Sequence, residues 1–384
     1  MPDTRTRLAA TWYERADQLT QQAQPASPFH TTAWSQAWDH VTTEPVLARR
    51  HLQLDDTTTQ QHLSFSLVDD SPIWQAATAG TSTDTPWDGP VLYAPSLYGL
   101  YGGMPGASLP MRTAAAEHGL DLAARWNAAA LVIGNLTPQE AARWREAFAP
   151  DAEVIPYFTS RAPAGGSLKA FAGQIPSSKV GREFLRQHRR GTDAGLRLAT
   201  RSGTEVSTWA AEFTRHAQET AERHGPAMYG EDIVRGVAQV PGAVALVAEH
   251  DETGFAGGFL CFLHDGVLYL YAAAVRQESK RELNTYGWLM AEAVSYAAAH
   301  GAHTIDAGRG NYRYKHRLGF THTPLTSLVY LPEPHHQLVE RVHALDAELA
   351  RTTHPTSPLA ALTGKPGTHN GLNRVGPVHH GERV

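Results

Sequence analysis

The segment HTIDAGRGNYRYKHRLGF occupies residues 303–320 and combines a short strand, a glycine-rich turn and a basic aromatic run. The strand is expected at residues 304–307. Gly308 and Gly310 bracket the turn, where glycine permits positive φ and close approach of a ligand to the backbone. Residues 312–317 are all aromatic or basic and cannot all be buried, so we predict that the segment lines a binding site for a polar, anionic partner. A solvated basic loop after a strand is the alternative interpretation.

The elements before this segment predict a mainly antiparallel sheet. Asp265-Gly266, placed between two apolar runs, is a strong signal for a two-residue hairpin. Apolar residues at helical spacing between Tyr286 and Ala297 predict the helix that leads into residues 303–320. Helices and strands alternate earlier in the chain, so the fold class is α/β (α+β), with mixed, mainly antiparallel sheets flanked by helices. The strands of this region are expected at residues 243–250, 255–264, 267–275 and 327–331.

The length of 384 residues is sufficient for two domains of ordinary size. The clearest linker is APAGGS at residues 162–167, because glycine, proline and serine break regular structure. The final residues are rich in Thr, Pro, Gly and His, which is typical of a disordered tail. The predicted division is a leader at 1–27, a first domain at 28–161, the linker, a second domain at 168–350 and a tail at 351–384.

The composition excludes several classes of protein. The net charge of -5 argues against a global polycation that binds nucleic acid without specificity. Cys261, the single cysteine, excludes an intrachain disulfide framework, and its apolar neighbours predict a buried structural thiol. The sequence has no signal-peptide core and no run of 18 apolar residues, so we expect a cytoplasmic protein without membrane insertion.

A local basic patch stands out against the negative net charge. A helix is predicted from Ser177 or Ser178 to about Arg190, and the stretch from Lys179 to Arg201 carries a charge of +5 because only Glu183 and Asp193 oppose its basic residues. A merely solvated helix face is the alternative interpretation. The basic residues are Lys179, Arg182, Arg186, Arg189, Arg190, Arg197 and Arg201.

Two motifs give the chain a resemblance to a known family. One ends a predicted helix with Thr220-x-x-Arg223 followed by Gly225, and the other is Asp306-Ala307-Gly308-Arg309-Gly310 with Tyr314-Lys315 and Gly319-Phe320. Together with the three-strand meander, the helix and the strand that precedes the turn, they resemble the Fem-type (FemABX-like) transferases of the GNAT superfamily. The resemblance implies two tandem GNAT-like domains and covers about residues 28–335, with its motifs in the second half.

Fem-type enzymes join an amino acid, delivered as aminoacyl-tRNA, to an amine and so form an amide. The resemblance implies an acyltransferase whose acceptor is a small specialised metabolite or a peptidoglycan precursor. Lys315, or Arg309 as the second choice, is expected to stabilise the oxyanion or to hold the terminal phosphates of the tRNA. Asp306 is expected to accept the amine proton, with orientation of the turn as its alternative role.

Further roles follow from the same resemblance. Arg223, with Thr220, is expected to clamp an acceptor carboxylate, and aromatic side chains are expected to form the walls of the substrate site. Basic residues are expected to contact the tRNA backbone. The predicted walls are Tyr93, Tyr98, Tyr101, Tyr312 and Tyr314, and the predicted tRNA contacts are Lys179, Arg182, Arg186, Arg189, Arg190, Lys280 and Arg281.

The segment before the helix at residue 286 departs from the pattern of coenzyme A-dependent GNAT enzymes. Those enzymes have a glycine-rich loop whose amides bind pyrophosphate, whereas residues 275–286 contain no glycine and include Glu278 and Glu282. No cofactor is therefore expected, and no metal site, because the sequence lacks His-Glu-x-x-His and cysteine pairs. The alternatives are an acyl-CoA-dependent N-acyltransferase and a non-catalytic protein that binds RNA or a partner.

Overall fold

The computed structural model describes residues 8–20, 24–41, 45–69, 78, 85–95, 98–221, 229–252 and 254–352. The first part of the chain forms β1 (Ala9–Tyr13), α1 (Thr32–Asp39), β2 (Val46–Asp55), β3 (Gln60–Val68), β4 (Val91–Ala94), α2 (Leu109–Arg125), β5 (Ala130–Leu136), α3 (Pro138–Ala147) and β6 (Ala152–Pro163). Short 3₁₀ turns lie at Ala16–Gln18 and Pro28–His30.

The second part continues with α4 (Leu168–Gln174), α5 (Ser178–Asp193), β7 (Leu196–Ser202), α6 (Thr204–Thr208), α7 (Ala210–Ala221), α8 (Glu231–Val237), β8 (Ala243–His250), β9 (Gly254–His264) and β10 (Val267–Val275). It ends with α9 (Gln277–Glu282), α10 (Thr285–Ala299), β11 (Thr304–Asp306), α11 (Tyr312–Arg317), β12 (Thr321–Tyr330) and α12 (His336–Thr352).

Local signals in the sequence account for several of these elements. Asp265 and Gly266 have φ values of 45° and 68°, so the predicted two-residue hairpin between β9 and β10 is confirmed. The side chain of Ser177 accepts a hydrogen bond from the backbone of Val180 and caps α5, also as predicted. Two features were not predicted: the chain from Thr204 to Ala221 is divided into the helices α6 and α7, and residues 312–317 form the helix α11.

The strands of the described residues form one sheet in the order β1-β2-β3-β4-β5-β12-β6-β11-β10-β9-β8-β7. The pairs β4–β5 and β10–β11 are parallel, and the other neighbours are antiparallel. Helices cover both faces of this sheet, which confirms the α/β (α+β) fold class with mainly antiparallel strands. β12 comes from the second part of the chain and lies between β5 and β6 of the first part. The two parts therefore share one sheet.

The predicted domain division is crossed by this sheet. β12 belongs to residues 168–350, yet it pairs with β5 and β6 of the first part, and β6 extends into the predicted linker as far as Pro163. The predicted leader contains the edge strand β1, which pairs with β2. The division into two domains stays a prediction, and residues 353–384 of the predicted tail lie outside the described residues.

The apolar core is also shared between the two parts. Trp34 of α1 lies 5.9 Å from Phe262 of β9, and Phe29 lies 5.6 Å from Tyr269 of β10, measured between ring centroids. These four aromatic residues are buried, so the first helix packs on strands of the second part. Cys261 neighbours Phe262 in the chain and is buried on the opposite face of β9. Burial raises the pKa of its thiol, which agrees with the predicted structural role.

Candidate active site

The parallel strands β10 and β11 separate where the glycine-rich turn begins. They pair only over residues 267–269 and 304–306, after which β10 continues to Val275. The register between β10 and β9 shifts between Leu270 and Ala272, which places a bulge at the point of separation. The chain following β11 is therefore free to turn away from the sheet.

Asp306 ties this turn to the first part of the chain. It is fully buried, and its Oδ1 accepts hydrogen bonds from Thr159 Oγ1 at 2.8 Å and from the backbone N–H of Gly308 at 2.9 Å. Its Oδ2 accepts from the Tyr101 hydroxyl and from Arg161 Nε, the latter at 2.9 Å. Gly308 has a φ of 62°, the positive value for which the sequence predicted glycine. These contacts fit the turn-orienting role, and the role as a proton acceptor stays a prediction.

Lys315 holds the same turn from α11. Its side chain is 2% exposed, and Nζ donates to the carbonyl oxygens of Ala307 at 2.6 Å, Gly308 at 3.1 Å and Arg309 at 2.8 Å. Three carbonyl oxygens match the three N–H donors of an ammonium group. Burial lowers the pKa of Lys315 to about 7. A catalytic role for Lys315 stays a prediction that requires Nζ to leave these oxygens.

Arg309 connects the turn to the loop that precedes Tyr101. It is half-buried, donates to the carbonyl oxygen of Gly99, and its guanidinium carbon lies 4.8 Å from the ring centroid of Tyr157. A Cβ atom on the neighbouring Gly308 would lie 3.4 Å from the side chain of Leu100. The structure therefore brings the predicted catalytic turn against the predicted tyrosine-rich segment.

A pocket of about 210 Å³ opens beside this junction. Its wall is formed by both parts of the chain, with Tyr269 from β10 and the remaining residues from the first part. We call it the Arg161 pocket. The lining residues with polar side chains that matter here are Ser27, His30, Tyr101, Arg143, Arg161 and Tyr269.

The cationic group of the pocket is fixed in place. Arg161 is 42% exposed, and its Nε donates to Asp306 at 2.9 Å and to the Tyr101 hydroxyl at 3.1 Å. Its guanidinium carbon lies 5.0 Å from the ring centroid of Tyr101. Burial and the Asp306 carboxylate raise the pKa of Tyr101, so its hydroxyl remains a donor to that carboxylate. Arg161 is therefore oriented by a buried partner while part of it faces solvent.

Ser27 and His30 form a neutral part of the wall. His30 Nδ1 lies 2.7 Å from Ser27 Oγ, and Nε2 lies 3.2 Å from the carbonyl oxygen of Gly102. Because a carbonyl oxygen only accepts, Nε2 carries the hydrogen and Nδ1 accepts from Ser27. Burial lowers the pKa of His30, which keeps the imidazole uncharged at neutral pH.

A buried ion pair supports the opposite wall. Arg112 donates to Glu140 at 3.0 Å, and Glu140 also accepts from the backbone N–H of Met104 at 2.9 Å and from Trp144 Nε1 at 3.0 Å. Each of these bonds is formed away from bulk water, where a missing partner would be costly. The loop around residue 104 is thereby fastened to α3.

The predicted tyrosine wall is only partly assembled at the pocket. Tyr101 lines it, whereas Tyr93 and Tyr98 belong to the apolar core. The ring of Tyr98 stacks on Trp38 with 4.6 Å between centroids. Of the three tyrosines, only Tyr101 lines this pocket, because the strand β4 turns Tyr93 into the core, and a substrate-binding role for Tyr93 and Tyr98 stays a prediction.

Tyr312 and Tyr314 pack on either side of α11. The hydroxyl of Tyr312 accepts from the backbone N–H of Phe158 at 2.9 Å and donates to its carbonyl oxygen at 3.0 Å. The ring of Tyr314 lies 5.5 Å from that of Tyr286 on α10. Both contacts anchor the helix, and a substrate-binding role for either tyrosine stays a prediction.

The predicted tRNA contacts of α5 are exposed on its surface. Arg186 is paired with Glu183 through two hydrogen bonds of 2.7 Å. A Cβ atom on Gly319, directly after α11, would lie 3.1 Å from Pro176, which precedes α5. The end of α11 and the start of α5 therefore lie close together. The exposed basic residues of α5 are Lys179, Arg182, Arg186, Arg189 and Arg190.

Other predicted site residues fall outside what the structure describes. Arg223 is not among the described residues, and the side chains of Thr220, Lys280 and Arg281 are not described either. Their backbone positions place Thr220 in α7 and the two basic residues in α9. Their proposed contacts with acceptor and tRNA remain predictions.

The sequence interpretation missed Arg161, Arg143 and the Ser27–His30 pair. Arg161 directly precedes the predicted linker, where an arginine carries no local signal, and its partner Asp306 is 145 positions away. Ser27 and His30 have a local signal, because Ser27-Pro28 is typical of the start of a helical turn and Ser27 caps the turn that carries His30.

Comparison with known proteins finds similarity in one segment of the sequence and in the fold. Residues 178–316 match the family model of an acetyltransferase (GNAT) domain. Among solved structures, FemX is similar with a TM-score of 0.55 and 11% identity, over 83% of this chain and 96% of FemX. The chain therefore contains a segment similar to a GNAT acetyltransferase domain, and its fold is similar to that of FemX. It is also similar to L-PGS from Bacillus licheniformis, with a TM-score of 0.49 and 8% identity, over 74% of this chain and 86% of that one.

No curated protein sequence matches this chain. Across the part of the chain that the structure describes, no helix combines the length and apolar character needed to cross a membrane. Within the same residues, no group of three or more His, Cys, Asp or Glu side chains is arranged to hold a metal ion.

Proposed function

We propose that the protein joins an amino acid, delivered as aminoacyl-tRNA, to the amine of an acceptor bound in the Arg161 pocket. The observation that carries this proposal is α9. Residues 277–282 form a helix at the position where coenzyme A-dependent GNAT enzymes have a glycine-rich loop. Within a helix the backbone N–H groups bond to carbonyl oxygens of the preceding turn, so only the first turn of α9 offers free N–H groups, and the carboxylate of Glu278 lies in that turn and repels phosphate.

Charge and packing near α9 support the same conclusion. Glu278 is exposed and pairs with Arg276 at 3.2 Å, so a carboxylate lies where a diphosphate would need cations. The first glycine after β10 is Gly287, and it is already inside α10, where a Cβ atom would lie 2.5 Å from the Asn284 side chain. This close packing leaves no open glycine loop before α10.

The basic face of α5 is the proposed contact for the tRNA backbone. The start of α5 lies near the end of α11, which carries the exposed residues Arg313, His316 and Arg317. A surface of this kind attracts a polyanion at long range although the whole chain is acidic. With its phosphate groups bound to this face, the tRNA would be able to extend its aminoacyl end to the opening between β10 and β11.

The reaction requires orientation more than strong acid or base chemistry. The amine nitrogen attacks the ester carbonyl carbon, the C–N bond forms, and the bond to the ribose oxygen of the tRNA breaks. The proton lost by the amine ends on the released ribose hydroxyl. The attacking amine must be neutral, and the main contribution of the protein is to hold that amine in line with the ester carbonyl carbon.

The experiment incubates the purified protein with total charged tRNA and a panel of amines, and product is detected by mass spectrometry. We expect amide formation that disappears after RNase treatment. Exchanging Arg182 and Arg189 together for Glu should lower the rate with charged tRNA about tenfold or more, because two cations of the polyanion contact become anions. Arg125→Glu on α2 is the control, since Arg125 is exposed and, within the described residues, donates to the carbonyl oxygen of Asp121 in its own helix and forms no ion pair.

Product formation that survives RNase treatment would contradict the proposal. The second candidate is an acyl-CoA-dependent N-acyltransferase, which the match to an acetyltransferase domain favours. It predicts that acetyl-CoA raises the melting temperature of the protein by ligand linkage, and that amide product forms from acetyl-CoA without RNA.

A further inference from the structure

The Arg161 pocket has an arginine whose remaining hydrogen-bond donors are available to a ligand. The Nε–H group of Arg161 is used by Asp306 and Tyr101, and Tyr269 also contacts the guanidinium. Arginine has five N–H donors in a planar fork, so beyond the Nε–H group and the hydrogen bond to Tyr269 the guanidinium keeps N–H donors that can bind the oxygen atoms of a carboxylate. The buried partner Asp306 fixes the direction of this fork before any ligand binds.

Of the charged side chains around the pocket, one cation has no carboxylate partner. Arg161 is paired with Asp306, and Arg112 is paired with Glu140. Arg143 lines the pocket on the exposed side of α3, and within the described residues it has no ion pair. The uncharged His30 adds nothing to this balance. The pocket therefore has an excess charge of one, which suits a monovalent anion.

The size of the pocket limits what it can hold. Pockets for drug-sized molecules have volumes of roughly 300–1,000 Å³, whereas this one has about 210 Å³. A nucleotide or a polymer segment would not be enclosed. A group the size of a single amino acid would fit, with polar partners at Ser27 Oγ and on the guanidinium of Arg161.

We propose that the Arg161 pocket binds the carboxylate of the acceptor, so that the acceptor is an amino acid or a similarly small amine that carries a free carboxylate. The proposal rests on the amide-forming function proposed above. Arg161 binds the carboxylate in a bidentate manner, and Arg143 supplies the balancing charge. The product is then a dipeptide-like amide that keeps the carboxylate of the acceptor.

Binding is tested on the full chain without tRNA. Calorimetry measures the Kd of the proteinogenic amino acids, of β-alanine and of the matching carboxamides. We expect at least one acid to bind at least tenfold more tightly than its amide, since a hydrogen-bonded charge pair contributes about that factor or more. If no acid binds better than its amide, the proposal is overturned.

Variants connect this preference to the pocket. Arg143→Gln removes the balancing positive charge, so it should weaken binding of the preferred acid about tenfold and leave binding of the amide unchanged. Because the side chain is exposed, its loss should not disturb the core. Arg161→Lys keeps the charge but removes the fork, so it should reduce the preference for the acid as well. Arg145→Gln, on the same helix but outside the pocket, is the control and should bind as the unchanged chain does. An undiminished preference in Arg143→Gln and Arg161→Lys would overturn the assignment.

The two proposals fail in different ways. Binding of an acid over its amide without product from charged tRNA would contradict the proposed function and leave the carboxylate site in place. Equal turnover of amines with and without a carboxylate would contradict the carboxylate site and leave the transferase function in place.

Discussion

Lys315 and Arg161 are two cations attached to the same turn, and their environments are opposite. Lys315 is 2% exposed, and Nζ donates to three backbone carbonyl oxygens. Arg161 is 42% exposed and binds the buried carboxylate of Asp306 through one edge of its guanidinium. One cation closes the turn from inside, whereas the other faces a pocket.

This difference shows which side of the turn is available for chemistry. A group whose donors all bind backbone oxygens contributes to the fold, because a substrate would have to replace several short hydrogen bonds. A group that is fixed on one edge and open on the other is oriented in advance, which is what recognition of a carboxylate requires. The lysine is the rarer residue in this chain, but the arginine has the geometry of a binding residue.

Lys315→Met should have the largest effect on stability. The substitution keeps an apolar chain of similar length but leaves the carbonyl oxygens of Ala307, Gly308 and Arg309 without their buried donor. We expect a loss of about 3–5 kcal/mol in the free energy of unfolding, measured by urea denaturation. Arg317→Ala removes an exposed cation from the same helix and should change stability by less than about 0.5 kcal/mol. Equal losses for both variants would show that the carbonyl contacts contribute nothing.

Asp306→Asn should have the next largest effect, because it acts on both sides of the comparison. The amide replaces an acceptor oxygen with a donor and removes the charge that holds Arg161. We expect a loss of about 2–3 kcal/mol in the free energy of unfolding, with weaker binding of carboxylate ligands in the pocket. Glu153→Gln breaks the pair with Arg145 at the surface, where both side chains are more than a third exposed, and should cost less than about 1 kcal/mol. A neutral Asp306→Asn would contradict the turn-orienting role.

The sequence predicted those parts of the fold that depend on neighbouring residues. The Asp265-Gly266 hairpin, the cap at Ser177 and the apolar face of α10 are local patterns, and each is found. The short helix α11 was missed because six aromatic and basic residues show no apolar period, and because Asn311 begins it from a left-handed conformation with φ 49°.

The pairing of distant segments was not accessible to the same reasoning. The position of β12 between β5 and β6 depends on strands separated by more than 150 residues in the chain. The bond from Arg161 to Asp306 depends on that arrangement, since β6 and β11 must first become neighbours. The glycine-rich turn could therefore be recognised from its composition. Arg161, which faces the pocket beside that turn, could be recognised only from the structure.

His322 tests the inner side of the turn through pH, with the smallest expected effect. Its ring lies 5.8 Å from that of His316, and Nδ1 lies 3.0 Å from Ser160 Oγ. Burial, followed by the nearby His316 and Lys315, lowers the pKa of His322 from 6.5 to about 4. The unfolded chain therefore takes up this proton first, so the stability contributed by neutral His322 is complete above pH 6.5 and is lost as the pH falls through 4.

We expect this loss to be about 2 kcal/mol between pH 7 and pH 4, less than the full linkage value because the ring is only partly buried. Urea denaturation at several pH values measures it as the difference between the unchanged chain and His322→Gln, in which that share of the pH dependence is absent. His343→Gln on α12 is the control for the general loss of stability in acid. Arg161 does not titrate in this range, so its pocket should still prefer carboxylic acids over their amides at pH 6. At that pH the unfolded chain has begun to take up the proton of His322, which lowers the stability of the fold. Identical pH profiles for the unchanged chain and His322→Gln would mean that the crowding of cations around Lys315 has no energetic consequence.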